Sequence, residues 1–109
     1  MSKVKTEILG PVISDFLKYE ATPQTRVAVA ADAGTKAGKF VEYPLRGKKL
    51  LALTDEADGK VIIQPFNCII DLSKVADADV KAATTGKTLD ALKKEGDAYG
   101  IVYQGTPAA

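Results

Sequence analysis

The chain has no histidine, no tryptophan and a single cysteine. Without histidine it lacks the commonest general base, the commonest metal ligand and the central member of the usual catalytic triad. One cysteine and no histidine rule out a zinc site of standard type, and an intrachain disulfide needs a second thiol. Carboxylate or lysine chemistry needs neither residue, but no such pair stands out. The sequence therefore assigns no catalytic residue, no metal ligand and no cofactor, and a non-enzymatic protein is expected. Charge of one sign is also missing: 15 Lys and Arg face 14 Asp and Glu. A net charge of +1 creates no field to draw in nucleic acid or an anionic membrane, so neither is an expected partner. The basic doublets Lys48-Lys49 and Lys93-Lys94 read as solvated surface. No stretch approaches the ~20 apolar residues of a membrane-spanning helix. The opening Met1–Lys5 has no apolar signal core. A protein kept in the cytoplasm, or in something assembled there, is expected.

What is present is ordinary globular material. The 109 residues fit one domain, and a chain of this size buries roughly 65% of its unfolded surface. Aromatics are only 6% of the residues, so Ala, Val, Ile and Leu must build most of the core. Cys68 sits in the apolar run Phe66–Ile70 and reads as a buried, inert small hydrophobe.

Residues 1–20 differ in texture from the rest. Gly10-Pro11 and Pro23 set them off, yet they hold Val12, Ile13, Phe16, Leu17 and Tyr19. A helix would gather Val12, Ile13, Phe16 and Leu17 on one face, and a strand would divide them. These side chains are too apolar to stay in water. They either cover the domain's own core or order on a partner surface. From Gln24 the pattern becomes β. Thr25–Ala30, Lys39–Tyr43, Leu50–Thr54, Lys60–Gln64 and Cys68–Leu72 are strand candidates, separated by turns at Asp32–Gly34, Arg46–Lys48 and Asp55–Gly59. Pro65 marks a bulge, an edge or the end of pairing. A weak helix capped by Ser73 is expected over 74–83. A stronger one is expected over Thr88–Glu95, with Thr88 as N-cap and Gly96 as its end. Tyr99–Tyr103 reads as a closing strand and Thr106–Ala109 as a tail. Short strands at a spacing of about ten residues indicate a mainly β fold, a small barrel or sandwich.

Two motifs imitate ligand sites. Gly86-Lys87-Thr88 matches the end of a phosphate-binding loop, but Lys81 stands where its first glycine belongs and no buried strand precedes it. Asp55–Gly59 is rich in carboxylates, but Ala57 fills what would be a ligand position in a calcium loop, so a hairpin turn is expected.

The order of features resembles the head decoration proteins of lambda-like tailed phages. Asp15–Ala21 is similar to the family's F-L-x-x-E opening, followed by Arg26-Val27-Ala28-Val29 as a first strand, and Thr35–Val41 is similar to its L-x-A-G-T-V-L step. Ile69–Leu72, Leu89–Lys94 and Gly100–Val102 are similar to its D-x-x-x-L … A-L-x-A-L-K-A-x-G-I-V ending. Thr25 replaces the usual Ser before Arg26, and Asp97–Tyr99 lengthens the link from helix to final strand. The resemblance implies a small β-barrel or β-tulip-like domain over 21–105, with one or two short helices, an extended N-terminal arm over 1–20 and a tail over 106–109. It implies a homotrimer on the outer surface of the virion capsid, seated at three-fold positions and bound to the major capsid protein. The arm residues Val12, Ile13, Asp15, Phe16, Leu17 and Tyr19 are the expected capsid contacts. The alternatives are another phage structural subunit, such as a tail-tube or head-completion protein, and a ligand-binding β domain with a pocket lined by Tyr19, Tyr43, Tyr99 and Tyr103.

Overall fold

The computed structural model describes residues 13–109. Its elements are a 3-10 turn at Ile13–Asp15, β1 (Leu17–Glu20), a second 3-10 turn at Pro23–Thr25, β2 (Val27–Ala30), β3 (Phe40–Tyr43), β4 (Lys48–Leu51), β5 (Lys60–Ile63), β6 (Cys68–Asp71), α1 (Asp77–Ala82), α2 (Leu89–Asp97) and β7 (Ile101–Gln104). The mainly β expectation holds at this level, but the barrel does not. Among the described residues the strands form three small sheets: β1-β6-β7, β2-β5 and β3-β4. The prolines and turns between the strands interrupt the ladder, so the three sheets do not join into one closed sheet. Partial continuity survives where the chain leaving β4 reaches β5, as Leu53 N–H donates to the Ile62 carbonyl at 2.8 Å and Ile62 N–H donates to Thr54 Oγ1 at 3.1 Å.

The β1-β6-β7 sheet is mixed. β1 runs antiparallel to β6, and β7 runs parallel to it. A parallel neighbour needs a crossover, and α1 and α2 supply it. Thr88 caps α2 as its position suggested, its Oγ1 accepting from Ala91 N–H at 3.0 Å. Gly96 does not end that helix. It lies buried in the last turn, where a β-carbon would stand 2.6 Å from the Ile101 carbonyl oxygen and 2.8 Å from Tyr103 Cε2. Its role is to let helix and strand approach, and the reversal is made at Gly100, with φ of +75°. Ser73 does not cap α1. Its N–H and hydroxyl both donate to the Asp71 carboxylate, at 3.0 and 3.1 Å, and the helix starts only at Asp77.

Two boundaries also move. Residues 17–20, expected to belong to an arm, form β1, and Phe16 is only 2% exposed in a core with Leu17, Ile70, Leu72, Val80 and Leu92. Burial of a phenyl ring and a leucine outweighs the Gly-Pro and Pro punctuation that seemed to set this segment apart. At the other end, residues 106–109 are not a loose tail. Ala108 N–H donates to the Val75 carbonyl at 2.8 Å, and Asp77 N–H donates to the Ala108 carbonyl at 2.7 Å.

Candidate functional site

Alternation along β6 and β7 decides which side chains face out. Cys68 and Ile70 point into the core, as do Ile101 and Tyr103, so Ile69 and Val102 between them point away from it. The pairing register places Tyr19 opposite Ile69 and Ile69 opposite Val102. The three form one row across the outer face of the sheet. Tyr19 is 58% exposed and Val102 49% exposed, with Ile69 half-buried between them. Large apolar side chains aligned on one sheet face are what a protein-binding surface presents.

The expected arm contacts separate into distinct environments. Val12 lies outside the described residues. Ile13 packs against the core, and Phe16 and Leu17 belong to it. Asp15 Oδ1 pairs with Lys74 Nζ at 2.9 Å, which ties the first turn to the segment after β6. Only Tyr19 stands out from the surface. Phe16 and Leu17 are therefore removed as contact residues, because a side chain already buried has no area left to offer a partner.

Behind the exposed row, β1 is pinned by a polar network that the strand pattern did not announce. Arg26 makes a two-point contact with the Glu20 carboxylate, its Nε donating to Oε2 at 3.0 Å and its Nη2 to Oε1. Gln64, nearly fully buried, donates from Nε2 to Glu20 Oε2 at 2.7 Å and to the Thr22 carbonyl at 3.2 Å. Its Oε1 accepts from Thr25 Oγ1 at 2.7 Å and from Phe66 N–H at 3.3 Å. The hydrogen bond from Arg26 chiefly holds the Glu20 carboxyl below its ordinary value, and the same contact pushes Arg26 up. Every polar atom of the Gln64 amide thus has a partner, as burial requires. The only signal in the sequence was a glutamine after three inward or flanking apolar residues, Val61-Ile62-Ile63, at the point where Pro65 stops the strand.

The Asp55–Gly59 carboxylates spend themselves on backbone. Glu56 accepts from Gly59 N–H at 2.6 Å and from Gly34 N–H at 3.1 Å, and these bonds lower its pKa; Asp55 Oδ1 accepts from Ala37 N–H at 2.9 Å. The segment is a turn, as expected. Among the described residues no group of three His, Cys, Asp or Glu side chains could hold a metal ion. Lys87 N–H donates to Thr84 Oγ1 at 3.0 Å, so the Gly86–Thr88 stretch forms a local turn into α2. The four tyrosines do not share a pocket. Tyr43 and Tyr103 lie in the core, Tyr19 stands on the outer face, and Tyr99 covers the Arg46 guanidinium. An open groove of about 430 Å³ runs beside β2 and β3, with Ala30, Asp32, Lys36, Phe40, Glu42 and Lys49 on its walls, and its charges are of both signs. No helix among the described residues is long and apolar enough to cross a membrane.

Compared with known proteins, the chain matches no family model, no curated protein and no solved structure.

Proposed function

We propose that this chain is a capsid decoration protein of a tailed phage. It sits on the outer surface of the expanded head as a trimer at three-fold positions, holds neighbouring major capsid subunits and stiffens the shell against packaged DNA. It acts by binding, with no cofactor and no reaction. The observation that carries the reading is the row Tyr19–Ile69–Val102, an apolar stripe on the outside of a sheet whose inner face is already packed. A stripe of this kind loses unfavourable exposure only when another protein covers it. The resemblance of residues 15–104 to lambda-like head decoration proteins supports the major capsid protein as that partner. The contact surface proposed is this stripe together with the residues that precede Ile13. A trimer would present three copies at once, so that modest contacts combine through effective concentration.

Electron microscopy of the purified protein mixed with expanded empty shells tests this. Three-lobed density at the three-fold positions is expected. Two-fold or six-fold density, or bare shells at saturating protein, would overturn it.

A further inference from the structure

The turn between β3 and β4, Pro44–Gly47, is closed on itself by Arg46 N–H and Gly47 N–H, both donating to the Tyr43 carbonyl at 3.0 Å, and reaches beyond its own hairpin through one side chain. Pro44, Leu45 and Gly47 are exposed, Leu45 to 86%, and only Arg46 turns inward. Its guanidinium carbon lies 3.5 Å from the ring centroid of Tyr99, 5.0 Å from that of Phe66 and 5.3 Å from that of Tyr43. Its Nη2 donates to the Pro65 carbonyl at 2.8 Å. Among the described residues it makes no ion pair. The charge is therefore met by aromatic faces and one carbonyl oxygen.

The three rings come from separate parts of the chain. Tyr43 ends β3, Phe66 precedes β6, and Tyr99 lies between α2 and β7. Tyr43 is buried, while Phe66 and Tyr99 keep about a third of their surface open to solvent. The result is a cage closed at the back and open at the side. The negative face of an aromatic ring attracts a cation, and several such faces around one point are how quaternary ammonium and guanidinium groups are recognised. The flat guanidinium also stacks on a ring, which an ammonium group cannot do.

We propose that Tyr43, Phe66 and Tyr99 form a cation-binding cage whose resident ligand is the chain's own Arg46, and that the cage takes a free alkylguanidinium ion once that side chain is removed. While Arg46 occupies it, the turn and its exposed Leu45 are held in one place. When the cage loses a ring, the turn is released without unfolding the rest. The inference rests on the ring geometry alone and stands whether or not the protein decorates a capsid.

The test uses the full chain with methylguanidinium as the probe. Arg46→Ala should melt below the wild type. Methylguanidinium at about 10 mM should raise its melting temperature by about 2 °C relative to the same concentration of sodium chloride, the size expected for a ligand with a Kd of about 10 mM. The wild type, already filled, should not respond, and Arg46→Ala with Tyr99→Ala should lose the response. An equal response in wild type and variant, or none in either, would overturn the proposal. A second readout keeps Arg46 in place. Trypsin must draw an arginine into its own acidic pocket before it cuts. Cleavage at Arg46–Gly47, mapped by mass, should be about tenfold faster in Tyr99→Ala than in wild type well below either melting temperature, because losing a cation–π contact raises the released population by about that factor. Equal cleavage rates at this bond would also overturn it.

Discussion

The Phe16 ring occupies the space where a side chain on Gly38 would begin: a β-carbon there would stand 3.0 Å from Cζ and 3.1 Å from Cε1. Gly38 also has φ of +93°, a conformation that side chains disfavour. The two residues form one packing unit that closes the first turn over the start of β3. Gly38→Ala should therefore destabilise by about 1–3 kcal/mol through backbone strain and crowding. Phe16→Ala should cost about 3–5 kcal/mol through the cavity it leaves. Denaturant titration of both variants checks this. A Phe16→Ala protein as stable as wild type would mean that the ring is not in the core.

Val102→Glu and Tyr19→Asp separate folding from binding. Both sites are exposed on the sheet's outer face, so the melting temperature should move little, with stability changing by about 0.5 kcal/mol or less. Under the decoration reading each variant should lose most of its binding to expanded shells, measured by co-sedimentation. A chain beginning at Ile13 should likewise fold and bind weakly.

Cys68 should be slow to react with thiol reagents in the native protein. Its thiol is buried, and desolvation pushes its pKa up from 9.0 to about 12. Burial pushes the Tyr103 phenol up as well. A raised folded pKa means that the folded state holds its proton when the unfolded state has lost it. The contribution of these two groups should be constant below pH 9 and stability should fall progressively between about pH 9 and 12. Cys68→Ser should cost about 1–3 kcal/mol, because a hydroxyl would replace a thiol whose contact with the Gln64 carbonyl is only a long 3.7 Å one. Labelling of native protein as fast as of unfolded chain would contradict the buried placement.

Glu20 gives the acid limb. Its pKa is lowered, chiefly by the Arg26 hydrogen bond, so its contribution is present above pH 4.5 and lost as pH falls through the folded value. Glu20→Gln should flatten the melting profile below pH 4.5 while lowering stability at pH 7. Gln64→Ala should be the more damaging change, since it removes all four hydrogen bonds of a nearly buried amide, leaves Phe66 N–H without its partner and opens a hole at the site. Equal acid sensitivity in wild type and Glu20→Gln would assign the acid limb to other carboxylates.

Removing residues 106–109 should destabilise by about 1–3 kcal/mol, the sum of two lost backbone hydrogen bonds that join Ala108 to Val75 and Asp77. Hydrogen exchange at Asp77 and in α1 should rise in the truncated chain. Unchanged protection there would mean that the segment is dispensable.

The local periodicities of the sequence were legible because they report single elements. Val27–Ala30 and Lys60–Ile63 alternate, and Thr88 followed by Leu89 and Leu92 announces a capped helix. Tyr19, Ile69 and Val102 could not be joined in advance, because their adjacency depends on pairing β1 with β6 and β6 with β7. Phe16 was misplaced for the same reason: its partner, Gly38, lies in a loop that no pattern links to it. Arg46 looked like turn chemistry, since the three rings around it are scattered between positions 43 and 99. Gly96 looked like a helix stop, because close approach of helix and strand leaves the same mark as a left-handed cap.

The pairing of β1 with β6 sets a schedule for synthesis. Leu17 is made about fifty residues before its partner Ile70, so at ribosomal rates of ~5–20 residues per second β1 waits on the order of 3–10 s for β6 to be made. The β3–β4 ladder can close well within that interval, because its partners lie near in the chain, whereas β5 is finished only shortly before β6. During the wait Phe16 and Leu17 have no core to enter, which makes the first strand the segment of the nascent chain most in need of a holding chaperone.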